Sequence, residues 1–140
     1  MFSVNFTSSN EDTKYKMLDS IIPNEVVKKY AWFNDENEDQ VFLVNENNDF
    51  LFDKSYYEGN ELLEIIKSSM YYVVSVKLIA LDCTRDQMVS VDSENETEKI
   101  IVKVEDGKYV KILSDSKEDA QLFFLNALTN NFTSAYIEEI

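Results

Sequence analysis

The stretch Met70–Leu81, MYYVVSVKLIAL, contains neither glycine nor proline and is rich in β-branched and aromatic side chains. Its even positions, Met70, Tyr72, Val74, Val76, Leu78 and Ala80, are all apolar. In an extended segment, alternate side chains share one face, so this pattern predicts a long central strand whose even face is covered by other elements. The odd positions, Tyr71, Val73, Ser75, Lys77, Ile79 and Leu81, form a mixed face.

The rest of the chain supplies partners for such a strand. Phe2, Val4 and Phe6 alternate with polar residues and predict a first strand. A polar SSNED turn follows, then Tyr15, Leu18, Ile21 and Ile22 recur at helical spacing until Pro23 ends the helix. Segments 30–33 and 40–45 read as two strands joined by NDENED, an acidic hairpin loop, with a short piece at 50–52. Gly59-Asn60 opens a second helix with Asn60 as its cap and an apolar stripe of Leu62, Ile65 and Ile66. A polar loop is expected from Arg85 to Glu98.

The segment 99–113 reads as a hairpin. A two-residue Asp106-Gly107 turn would pair Val104 with Tyr109, and so an apolar face with a polar one. A three-residue loop, 105–107, pairs Val102 with Val110 and Ile100 with Ile112, keeping the apolar face whole. That register puts Gly107 in a left-handed bulge position. Ser116 and Asp119 have capping-box spacing ahead of Ala120, Phe123, Phe124, Ala127 and Leu128, a helical stripe. Residues 132–137 give the last strand. The expectation is a single α+β domain over 1–140 with a largely antiparallel sheet and about three helices on one face. Its element order is a ferredoxin-like β-α-β-β-α-β start followed by β-β-α-β.

Composition narrows the function classes. The chain of 140 residues carries 27 acids against 13 bases, a net charge of −14. This opposes direct contact with nucleic-acid phosphates and with anionic lipid, and favours a basic partner, a cation or simple solubility. Apolar residues at 44% are enough to fill a core, which argues against disorder. The sole cysteine, Cys83, forbids an intrachain disulfide and a thiolate zinc cage, and suits a reducing compartment. MFSVNF shows no charged leader or long apolar run, and the apolar stretch at 70–81 is far short of the roughly 20 residues of a membrane span. A cytoplasmic protein is expected, and the sequons at Asn5, Asn95 and Asn131 read as incidental.

The chain has no histidine, which removes Ser-His and Cys-His nucleophile systems and histidine metal sites. With Gly59 and Gly107 as the only glycines, no phosphate-binding loop can be built. Arg85 stands near Cys83 without a base partner, so a structural thiol is expected. Ser114 and Lys117 have serine–lysine spacing but sit at a helix start, where turn chemistry explains them. Asp35, Asn37, Asp39 and Glu46 match calcium-loop positions, yet Gln40 replaces the needed glycine and the flanks read as strands. No carboxylate pair stands out for acid–base chemistry. No catalytic residue, cofactor site or metal site is assigned.

Two acidic patches remain as partner-binding candidates: Asp35, Glu36, Glu38 and Asp39 beside Trp32 and Phe33, and Asp92, Glu94, Glu96 and Glu98. Carboxylates beside an aromatic suit the capping of a basic protein such as a toxin or nuclease. Through Trp32, the helix start at 59–66, Tyr71-Tyr72 and the strand 109–112, the layout from residue 18 onward resembles small uncharacterised bacterial domains of unknown function. In size and acidity the chain also resembles toxin-immunity proteins and anti-defence inhibitors. The resulting expectation is a non-enzymatic acidic protein that inhibits a basic protein partner by occlusion. The alternative is a small scaffold or oligomerising domain.

Overall fold

The computed structural model describes residues 1–8, 15–82 and 98–140. Eight strands and four α-helices are present among them. In chain order they are β1 (Phe2–Thr7), α1 (Met17–Ile21), α2 (Asn24–Lys29), β2 (Ala31–Asn34), β3 (Gln40–Leu43), β4 (Tyr56–Tyr57), α3 (Gly59–Ser68), β5 (Tyr71–Leu81), β6 (Glu98–Glu105), β7 (Tyr109–Ser114), α4 (Lys117–Thr129) and β8 (Thr133–Glu139). A 3-10 turn, Glu36–Glu38, separates β2 from β3.

The molecule is α+β, with every named strand pair antiparallel. Strand order is β4-β2-β5-β6-β7-β1-β8, with β3 also on β5. The neighbours differ from those of a ferredoxin-like unit: β1 lies between β7 and β8, two strands removed from β5. Short connections favour this, because the β6–β7 hairpin continues the sheet outward from β5 before β1 can join it.

One sheet face carries Val4, Phe6, Trp32, Val76, Leu78, Ala80, Val102, Val104, Val110 and Ile112, all buried. Helix α4 lies over β1, β7 and β8, while α1, α2 and α3 cover the other half. Helix α4 buries Ala120, Phe123 and Ala127 of its predicted stripe, while Phe124 is partly buried and Leu128 is exposed. Pro23 does end α1, but it also begins a second short helix, α2, which buries Val26 and Val27. A proline suits a helix start because its missing N–H would have had no partner there. Helix α3 is capped by Glu58 and not Asn60: the Glu61 carboxylate accepts from the Glu58 N–H at 3.3 Å.

The β6–β7 hairpin keeps its apolar face whole by a three-residue loop, as the parity argument requires. The loop is Asp106-Gly107-Lys108, one residue later than expected, so Val102 faces Ile112 and Val104 faces Val110. Asp106 and Gly107 both adopt left-handed backbone, φ 57° and 61°. The Gly107 N–H donates to the Val74 carbonyl at 2.7 Å, which fixes the hairpin tip on β5.

Two further expectations are corrected. Segments β2 and β3 do not form a hairpin. They run one after the other along the same edge of β5, with Trp32 opposite Ala80 and Leu43 opposite Tyr71. The acidic segment 35–39 is the bridge between them. The even face of β5 is buried only from Val76 to Ala80; upstream, the odd residues Tyr71 and Val73 are buried instead. The cause is a β-bulge: Gln40 pairs with Ser75 and Val41 with Val73, leaving Val74 without a counterpart on β3. One extra residue reverses the facing of everything beyond it.

Candidate functional site

The bulge decides where the exposed apolar surface lies. It is held from both sides, by the Gly107 N–H on the Val74 carbonyl and by the Ser75 hydroxyl, 3.2 Å from the Glu38 carbonyl and 3.1 Å from Gln40 Oε1. Upstream of it, Met70, Tyr72 and Val74 turn away from the core. Val74 is 38% exposed while Val76, two residues on, is 1% exposed.

Strand β3 adds to this outward face. Phe42 pairs with Tyr72, their ring centroids 5.6 Å apart. Phe50 bridges to Phe42, centroids 5.1 Å apart, and remains 54% exposed. The Val44 N–H donates to the Met70 carbonyl at 3.0 Å, so these two exposed side chains extend the patch. Tyr15 bridges Tyr72 on the far side. A contiguous aromatic and aliphatic surface results, larger than the isolated apolar residues any protein surface shows.

Carboxylates rim it. Exposed Glu46 and Asp49 lie in the turn between Val44 and Phe50. A concavity of about 240 Å³ beside Phe50 and Phe52 is lined by Glu36, Asp39, Asp53 and Lys54. Asn34 also lines it; its side chain is buried, its Nδ2 donates to Asp39 at 3.1 Å and its Oδ1 lacks a donor among the described residues. Burial pushes the Asp39 carboxyl above the usual range, and hydrogen bonds from Asn34 and the Val41 N–H oppose this.

The sequence candidates divide. Trp32 is wholly buried, with its indole N–H on the Val27 carbonyl at 2.9 Å, and offers nothing to a partner. Asp35 caps the 3-10 turn by accepting from the Asn37 N–H at 3.0 Å. Glu38 is paired with Lys103 at 3.3 Å. Glu36, on the Ser55 hydroxyl at 2.6 Å, and Asp39 reach the concavity. Glu98 opens β6 opposite Leu81, away from this rim. Asp92, Glu94, Glu96, Cys83 and Arg85 lie outside the described residues. Among the described residues, no group of three or more His, Cys, Asp or Glu side chains converges as a metal site. Ser114 is buried, its hydroxyl engaged with the Ser116 backbone, in keeping with turn chemistry.

Sequence reasoning missed Phe42, Phe50 and Tyr72. Their only trace was Ser75, the first polar residue of the run 70–81, at the position where the alternation changes sides.

The molecule is thus a small α+β domain, helices on one sheet face, with an acid-rimmed aromatic surface at one end. The chain belongs to the family described as a protein of unknown function, DUF2691, whose model matches residues 1–139. No curated protein and no solved structure matches it. No helix among the described residues is long and apolar enough to cross a membrane.

Proposed function

We propose that this protein is a non-enzymatic binding protein that covers a basic surface of another protein, with the Phe42–Phe50–Tyr72 patch as its anchor. The carrying observation is the outward aromatic cluster of exposed Phe50 with half-buried Phe42 and Tyr72, bordered by Glu36, Glu46, Asp49 and Asp53. Aromatic anchors surrounded by charge match the arrangement of interface hot spots. The net charge of −14 would steer a cationic partner toward the rim and speed encounter. Inhibition by occlusion, as in an immunity protein, follows if the covered surface is the partner's working site.

Self-association through the same patch is disfavoured, since two copies of charge −14 repel. Edge-to-edge pairing is blunted as well: β8 carries a register shift, a left-handed Ser134 at φ 56° and the terminal acids Glu138 and Glu139.

The test is affinity capture from the native host at low and high salt, using the wild type and a Phe50→Ser/Tyr72→Ser variant. A basic protein retained at low salt by the wild type and lost by the variant is the expected result. Retention of no basic protein, or equal retention by both, would overturn the reading.

A further inference from the structure

We propose that the sheet face opposite the helices binds a phosphate monoester carried on a flat apolar body, through a row of three lysines. Lys77, Lys103 and Lys111 lie directly opposite one another on the adjacent strands β5, β6 and β7. Such neighbours place their Cβ atoms about 5 Å apart, and like charges in this position repel. The chain has only 13 basic residues among 27 acids, yet three stand in one cross-strand row.

A ladder of alternating charge would have needed a single acid at position 103. Instead Lys103 is neutralised from the side, by Glu38 at 3.3 Å and Glu105 at 3.2 Å. Lys77 and Lys111 flank it and make no ion pair with any described residue. The two ammonium groups without an ion pair among the described residues are thus separated by a compensated one, a spacing that suits an anion with several oxygens more than a single carboxylate.

The same row continues through Asn5 to Tyr136 on β8. The row beside it is Ile79, Ile101 and Leu113. Ile79 is buried and stands apart, but Ile101 and Leu113 join the lysine row in lining a shallow concavity of about 610 Å³, within the range of small-molecule sites. Tyr109 and Tyr136, each 51% exposed, also line it. The cations place the phosphate, while the apolar row and the tyrosine rings take the body of the ligand. This site is on the opposite sheet face from the core and shares no residue with the aromatic patch of β3.

Amide NMR titration with 4-nitrophenyl phosphate tests it, with 4-nitrophenol and inorganic phosphate as parallel arms. Saturable shifts at Asn5, Ile101, Lys111 and Tyr136 with the ester, weaker by roughly tenfold for either half alone, are expected. A Lys77→Gln/Lys111→Gln variant should bind the ester about tenfold more weakly or worse, while its melting temperature stays equal or rises because a repulsion is gone. Absence of saturable shifts, equal response to 4-nitrophenol, which lacks the phosphate, or unchanged binding by the variant would each overturn the proposal. Tighter binding of inorganic phosphate than of the ester would show a bare anion site and overturn the role given to the apolar row. A fall in melting temperature with unchanged binding would make the row purely structural.

Discussion

Single residues hold the helical layer together where secondary structure alone would leave it loose. Gly59, the first residue of α3, sits against the end of α2. A Cβ there would lie 2.4 Å from the Val27 carbonyl oxygen and 2.8 Å from those of Lys28 and Tyr30. Backbone cannot yield as a side chain can, so Gly59→Ala is expected to destabilise by about 1–3 kcal/mol, read as a lower urea midpoint. Asp119 shows a second kind of constraint. Ser116 caps α4 by accepting from the Asp119 N–H at 3.2 Å, as the capping-box spacing implies. The Asp119 carboxylate, however, leaves the box to accept from Lys29 at 3.1 Å and from the Tyr30 hydroxyl at 2.5 Å, joining α4 to the end of α2.

Burial, reinforced by the hydrogen bond to Asp119, pushes Tyr30 up to about 12; burial likewise takes Tyr57 to about 12 and raises Tyr71. In the unfolded chain a tyrosine titrates near pH 10. Between roughly pH 10 and 12 the unfolded state therefore releases these protons first. Stability is fully present below that window and falls as pH rises through it. Urea midpoints measured from about pH 9 to about pH 11.5 should decline, and Tyr30→Phe should make the decline shallower.

At the scale of elements, the facing reversal in β5 has a direct consequence. Val74 and Val76 look equivalent in the sequence, but Val76 packs in the core and Val74 does not. Val76→Ala should cost roughly 1–3 kcal/mol through lost burial and the cavity left behind. Val74→Ala should stay within about 0.5 kcal/mol, as for an ordinary surface change. Equal losses in paired denaturation curves would contradict the bulge. Gly107 belongs to the same device. Its left-handed φ of 61° and a Cβ position 2.8 Å from the Val73 carbonyl oxygen leave no room for a side chain at the docked hairpin tip.

For the whole molecule, a charge of −14 on 140 residues is a repulsive load on the compact state. Raising salt from about 0.1 M to about 1 M shortens the screening length from about 10 Å to about 3 Å. The melting temperature should therefore rise with sodium chloride, whereas capture of a basic partner should weaken over the same range. A protein stabilised chiefly by surface ion pairs would show the opposite thermal trend.

The longer strands and helices were legible in the sequence, though the short β4 was not, because period-2 and period-3.6 patterns, Pro23, Ser116 and Gly107 act within a few residues of themselves. The sequence by itself also determined the absence of histidine and glycine-loop chemistry. Tertiary structure alone decided which acids and aromatics meet. Trp32 is drawn inward by an indole N–H that needs the Val27 carbonyl, and 35–39 becomes a bridge because β2 and β3 share one edge of β5. The side of β5 that faces water turns on one unpaired residue, Val74, whose backbone is fixed by a hairpin tip some thirty residues away. Alternation is a local property, but the partner that adds or omits a residue opposite it is not. Hence the buried half of the strand was legible in the sequence, and the outward aromatic surface on its other half was not.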